Sequence, residues 1–151
     1  MKHRRCFALL LGLWLALLPA CGSPPPAEED GVLHILAATY PVYLFATAVT
    51  EGVEGTAVEL LVNQPTSCLH DYTLTVNDMK AIERADVILL NGAGLEDFMS
   101  GALSASSASV IDCSEEIELL PAHGHEGHHH ETEYDPHFWL TEEAAVVMLN
   151  N

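Results

Sequence analysis

Runs that read as strands alternate along this chain with runs that read as helices, and this alternation restricts the possible folds more than any other feature. Val32 to Ala38 is a short apolar run suited to a buried strand. Val42, Phe45, Ala46 and Val49 then recur at i, i+3, i+4 and i+7, the spacing of one helix face. Gly52 and Gly55 punctuate the chain before Thr56 to Val62, a second strand rich in β-branched residues. Thr75-Val76-Asn77-Asp78 has the form of a capping box with Asp in place of the usual Glu or Gln, and the helix it opens runs to about Arg84. Asp86 to Leu90 is a third strand, Leu95, Phe98, Met99, Ala102 and Leu103 mark the next helix stripe, and Ser109 to Ile111 is a short fourth strand. Strands separated by helices predict an α/β fold, here a four-stranded parallel sheet flanked by helices. In such sheets ligands sit beyond the carboxyl ends of the strands, so the loops after the second, third and fourth strands are the ones to inspect.

Residues 1–20 stand apart from that fold. Lys2, Arg4 and Arg5 precede an apolar run from Phe7 to Leu18 that is short for a membrane span, the pattern of a secretory signal. Leu18-Pro19-Ala20-Cys21 resembles the lipobox of bacterial lipoproteins, in which the cysteine is acylated and becomes the new N-terminus. Residues 21–30 then form a lipidated cysteine and a tether, since three consecutive prolines and three acids cannot pack as an element. The expected location is extracytoplasmic, lipid-anchored to the outer face of a bacterial cell membrane.

Charge narrows the partners. The formal net charge is −17, and all 22 acids lie beyond Cys21, where Lys80 and Arg84 are the only bases. Such a surface repels phosphate backbones, which argues against nucleic acid, and it raises the local concentration of cations. With Cys6 in the signal and Cys21 lipidated, Cys68 and Cys113 remain as a candidate disulfide pair. A thiolate zinc site is the weaker reading, because no C-x-x-C pairing is present.

The histidines point to metal. His70 lies in the loop between the second strand and the capped helix, at the carboxyl end of a strand. His137 lies in Asp135-Pro136-His137-Phe138-Trp139-Leu140, where Pro136 restrains Asp135 to extended backbone and the aromatic residues anchor the segment. Between them, residues 121–134 form a loop carrying His123, His125, His128, His129 and His130 among glycines and acids, with almost nothing apolar. Imidazoles in that number suit zinc, copper or nickel, whereas manganese prefers carboxylate and water. Thr141, Glu142 and Glu143 then open a capped helix that reaches Asn151 without a stop signal.

Five segments in order carry a family resemblance: Ala37-Ala38-Thr39-Tyr40-Pro41, His70-Asp71-Tyr72-Thr73-Leu74-Thr75, Ala85-Asp86-Val87-Ile88, Asn91-Gly92-Ala93-Gly94-Leu95-Glu96 and Asp135-Pro136-His137-Phe138-Trp139-Leu140. Together they resemble the substrate-binding proteins of zinc and manganese ABC importers. The resemblance implies two α/β lobes joined by one long helix, with the metal held between them. On that basis residues 31–140 are the N-terminal lobe, residues 141–151 begin the connecting helix, and the second lobe is missing from the sequence. His70 and His137 match the two ligands supplied by the first lobe. A third histidine and an acidic ligand belong to the second, so this chain alone is expected to bind weakly. Leu69 departs from the pattern, standing where many relatives have Pro or an acid. Loops like residues 121–134 are typical of the zinc branch. The implied function is a monomeric, non-enzymatic zinc-binding component that delivers Zn2+ to an ABC permease and its ATPase subunit.

The rivals are a manganese or iron carrier of the same family, a zinc-dependent hydrolase, and a metal-buffering surface lipoprotein without a transporter. Gly92-Ala93-Gly94 follows a strand as a dinucleotide fingerprint would, but Asp97 occupies the third glycine position. No His-Glu-x-x-His and no Ser or Cys nucleophile motif is present.

Overall fold

The computed structural model describes residues 31–64, 69, 72–122 and 133–151. Four strands, β1 (Leu33–Ala37), β2 (Thr56–Leu60), β3 (Val87–Leu90) and β4 (Ser109–Asp112), form one sheet in the order β2-β1-β3-β4. All pairings are parallel, with Leu36 opposite Glu59 and Ile88, and Leu89 opposite Ala37 and Ile111. The α/β expectation therefore holds. The strand order reverses between β1 and β3, so the crevice that such a reversal opens lies between the segments following those two strands.

Strand alternation sends successive side chains to opposite faces, and the helices cover both. On one face Leu36 and Ile88 pack with Ala81 and Ile82 of helix α2 (Val76–Arg84), Ala102 of helix α3 (Ser100–Ala105) and Met99 just ahead of α3. On the other, Ala37, Leu89 and Ile111 pack with Val42 of helix α1 (Tyr40–Val49) and Met148 of helix α4 (Glu142–Met148). Ile88 is fully buried, and burial of a side chain of that size contributes about 2 kcal/mol.

The local signals in the sequence explain the element starts. Thr75 accepts a hydrogen bond from the Asp78 amide while the Asp78 carboxylate accepts from the Thr75 amide at 2.7 Å, so the capping box forms with Asp in the Glu position. Pro41 occupies the first turn of α1, where its missing N–H costs nothing. Thr141 caps α4 through the Ala144 amide.

Two helices differ from expectation. The stripe from Leu95 to Leu103 forms a 3-10 turn over Asp97–Met99 followed by α3, rather than one helix. Glu96 precedes that turn, and its carboxylate reaches back to the amides of Asn91 and Gly92 instead of capping forward. The last helix was expected to reach Asn151, but it ends at Met148 with Leu149 as its C-cap. Beyond it, the Asn151 side-chain amide donates to the carbonyls of Cys113 and Glu115, tying the end of the chain to the segment after β4.

Candidate functional site

Every buried polar or charged side chain among the described residues follows the carboxyl end of a strand. Thr39 comes after β1, Asp78 starts the helix after β2, and Asn91 and Glu96 come after β3. The amino edge is different: Asp86, which accepts from the His34 amide, is exposed. Buried polar groups cost free energy and add nothing to a hydrophobic core. Their concentration at one edge therefore marks where the fold gives up stability for geometry.

His137 lies at this edge. Its imidazole is exposed, and Nδ1 stands 2.7 Å from Oδ1 of Asp135, which also accepts from the His137 amide at 3.0 Å. With Asp135 ionised, the short contact requires a proton on Nδ1, which puts the free lone pair of a neutral ring on Nε2. A carboxylate that fixes the tautomer of an imidazole in this way orients metal-ligating histidines in general. Behind the ring, Trp139 lies with its centroid 5.2 Å away, and Phe138 and Trp139 pack against the second core cluster, as the sequence predicted.

The turn after β3 supports this segment from below. The two oxygens of Glu96 accept from the amides of Asn91 at 2.9 Å and Gly92 at 3.0 Å. The Asn91 side-chain amide in turn donates to the Pro136 carbonyl at 3.0 Å. Glu96 is almost wholly buried, and burial raises its pKa from 4.5 to about 7 against the lowering effect of the two amide hydrogen bonds, with the nearby Asp112 charge adding to the rise. Gly92 lies at φ +86°, where a Cβ would overlap the Asp112 carboxylate and the Ser114 hydroxyl. Ser114 is itself tied to Asp112 and accepts from the Ala93 amide. The loop amides a dinucleotide phosphate would use are thus already taken by Glu96 and Ser114, which removes the Gly92-Ala93-Gly94 reading.

A second brace follows His70 in the sequence, at the start of α2. The Tyr72 hydroxyl donates to Asp78 at 3.0 Å, and the Tyr72 ring meets Phe98 edge-on at 5.4 Å. Burial, followed by the hydrogen bond and the charge of Asp78, holds the phenol above its ordinary pKa. His70 itself lies outside the described residues, as do Cys68, the histidines at 123, 125, 128, 129 and 130, and the lipidation site Cys21. The flanks of the histidine-rich segment are described. Pro121 and Tyr134 form an antiparallel bridge, Ala122 donates to Glu133 at 3.1 Å, and Asp135 donates to Leu120 at 2.8 Å. The bridge ends one residue before Asp135, so the loop springs from the same backbone that carries His137.

Cys113 is buried and has no disulfide partner among the described residues, and its pairing with Cys68 lies outside them. Burial, with the charges of Asp112 and Glu96, pushes its thiol up to about 11, so it is protonated at neutral pH and is a poor thiolate donor. Among the described residues no group of three or more His, Cys, Asp or Glu side chains is gathered around one point. Sequence reasoning quoted Asn91 and Glu96 only within a motif and gave Asp135 no role of its own. An Asn directly after an apolar strand, with a Glu five residues later, was the signal available for the first two.

Known proteins are similar to this chain in sequence and fold. The family described as zinc-uptake complex component A, periplasmic, matches residues 35–151. The zinc-binding lipoprotein AdcA of Streptococcus pneumoniae serotype 4 is 30% identical over 155 residues, covering 95% of this chain and 30% of its own length. The manganese-binding lipoprotein MntA of Halalkalibacterium halodurans is 25% identical over 142 residues, covering 89% of this chain and 43% of its own. Among solved structures, the Zn(II)-bound ZnuA-like domain of Streptococcus pneumoniae AdcA superposes with a TM-score of 0.64 at 26% identity, over 80% of this chain and 42% of that one. The chain thus spans less than half the length of each of these relatives.

Proposed function

The chain belongs to the family of zinc-uptake complex component A, and from that membership we propose that it is the extracytoplasmic zinc-binding part of an ABC metal importer. It captures Zn2+ by reversible coordination and hands it to a membrane permease driven by an ATPase, with no chemistry performed on the ion. The observation that carries this reading is the Asp135–His137 pair, which presents one oriented, exposed imidazole at the ligand-binding edge of the sheet. His70 is the second ligand of this lobe, and ligands from a second lobe complete the four that zinc takes in a closed site. Residues 1–20 act as the signal, Cys21 carries the lipid, and residues 21–30 hold the lobe off the membrane. The lipoprotein relatives support that location.

Zinc is preferred over manganese because five imidazoles crowd the loop from His123 to His130. That loop collects zinc loosely and passes it toward His137, at the foot of the same bridge. The manganese-binding relative keeps manganese as the second reading.

Competition titration of zinc against manganese on the protein tests both points. Zinc should bind the tighter, and His137→Ala should weaken it by at least about 10–100-fold, the range for losing only the outer-shell support of a ligand. Tighter manganese binding overturns the choice of metal. Unchanged affinity in the His137 variant removes this residue from the site.

A further inference from the structure

The side chain of Asn91 is completely buried, yet it is poorly served as a purely structural group. Its amide nitrogen donates to the Pro136 carbonyl at 3.0 Å and more weakly to the Gly92 carbonyl at 3.4 Å, while its oxygen has no partner among the described residues. The orientation of the amide is not interchangeable, because a carbonyl at Pro136 can face only a donor. An aliphatic side chain in so dry a position would spare the unpartnered oxygen but would leave the Pro136 carbonyl without this donor. What Asn91 supplies and an aliphatic residue cannot is a directed bond to a segment 45 positions away. Its own backbone is fixed by the Glu96 carboxylate, so the donor projects from a rigid turn. The bond it makes ends on the peptide group joining Pro136 to His137. On the far side of that peptide the Asp135 carboxylate holds both the amide and the ring of His137.

We propose that Asn91 is the positioning residue of the metal site: its bond to the Pro136 carbonyl sets the backbone of residues 135–137 so that Asp135 locks the His137 ring with its free lone pair on Nε2. This rests on the reading of His137 as a ligand but makes a claim about the metal-free chain as well. Asn91 touches no ion. It acts through one peptide group, and Glu96 acts through Asn91.

The test compares the unmodified chain with Asn91→Ala and Asn91→Ser, using nitrogen NMR shifts of the His137 ring without metal and zinc titration of the same samples. In the unmodified chain the ring nitrogens should show a single Nδ1–H tautomer. In N91A they should move toward averaged values, and zinc affinity at His137 should fall about tenfold, the lower end of the range for lost outer-shell support. N91S keeps a shorter donor and should fall between the two. Ring shifts of N91A that stay at their unmodified values overturn the proposal, whatever the affinity does. If N91A loses its fold, the ring shifts of N91S decide by the same criterion. Should neither variant fold, the side-chain amide of Asn91 in the unmodified chain decides: its hydrogen exchange should slow several-fold on zinc saturation, and an unchanged rate overturns the proposal. An unmodified chain whose His137 ignores both zinc and manganese defeats the ligand reading, while the metal-free ring shifts still judge the role of Asn91.

Discussion

The two braces at the carboxyl edge are built differently. Soon after His70 in the sequence, Tyr72, Thr75 and Asp78 bond one another across at most six positions, and the cluster doubles as the start of α2. Beneath His137, Asn91, Glu96 and Pro136 join segments 45 positions apart through buried groups. The first is local, partly exposed and self-sufficient, since a helix needs its cap wherever it begins. The second exists only once β3 and the segment ahead of α4 have met. A local brace tolerates change because water replaces what is lost, whereas a buried one leaves orphaned groups.

That contrast predicts an order of effects. The largest follows from crowding the turn after β3. Gly92→Ala places a Cβ against Asp112 and Ser114 at a left-handed φ and should cost roughly 3–5 kcal/mol, combining backbone strain with overpacking. Urea unfolding measures it, and a loss below about 1 kcal/mol would show that the turn is pliable and no more rigid than the local brace.

Next comes the charge of Glu96. Its folded-state pKa of about 7 exceeds the ordinary 4.5, so between those values the folded chain holds a proton that the unfolded chain has released. Stability therefore falls as pH rises through this window, by about 3 kcal/mol for the full span. Glu96→Gln cannot titrate. The fall in stability from pH 5 to pH 8 should thus be smaller in that variant than in the unmodified protein by an amount of that order. Parallel pH profiles would mean that Glu96 is ionised throughout and that its two amide bonds outweigh burial.

The smallest effect belongs to the local brace. Thr75→Ala removes one cap acceptor and should cost about 1 kcal/mol. Thermal or urea unfolding gives the value, and a loss as large as that of Gly92→Ala would erase the distinction between the two braces.

Much of this was written in local sequence. The strand and helix order, the Thr75–Asp78 box and the Thr141 cap follow from periodicity and from residue types that bond their near neighbours. The split of the Leu95–Leu103 stripe into a 3-10 turn and α3 could not be read there, because apolar spacing does not reveal that Glu96 turns backward. His137 was legible as a candidate from its proline and aromatic neighbours. The role of Asp135 was not, since nothing in a sequence shows that a carboxylate two positions earlier curls back onto Nδ1.

The sequence by itself determined the class of fold, the order of its strands and helices and the local caps, all of which depend on spacing and on bonds within a few residues. The tertiary structure decided which buried groups face each other at the carboxyl edge. Asn91 reaches Pro136, and Glu96 is shut away from water, only after the chain has closed over both. Contacts between distant segments, and the loss of water around a charge, have no counterpart in the order of residues along the chain.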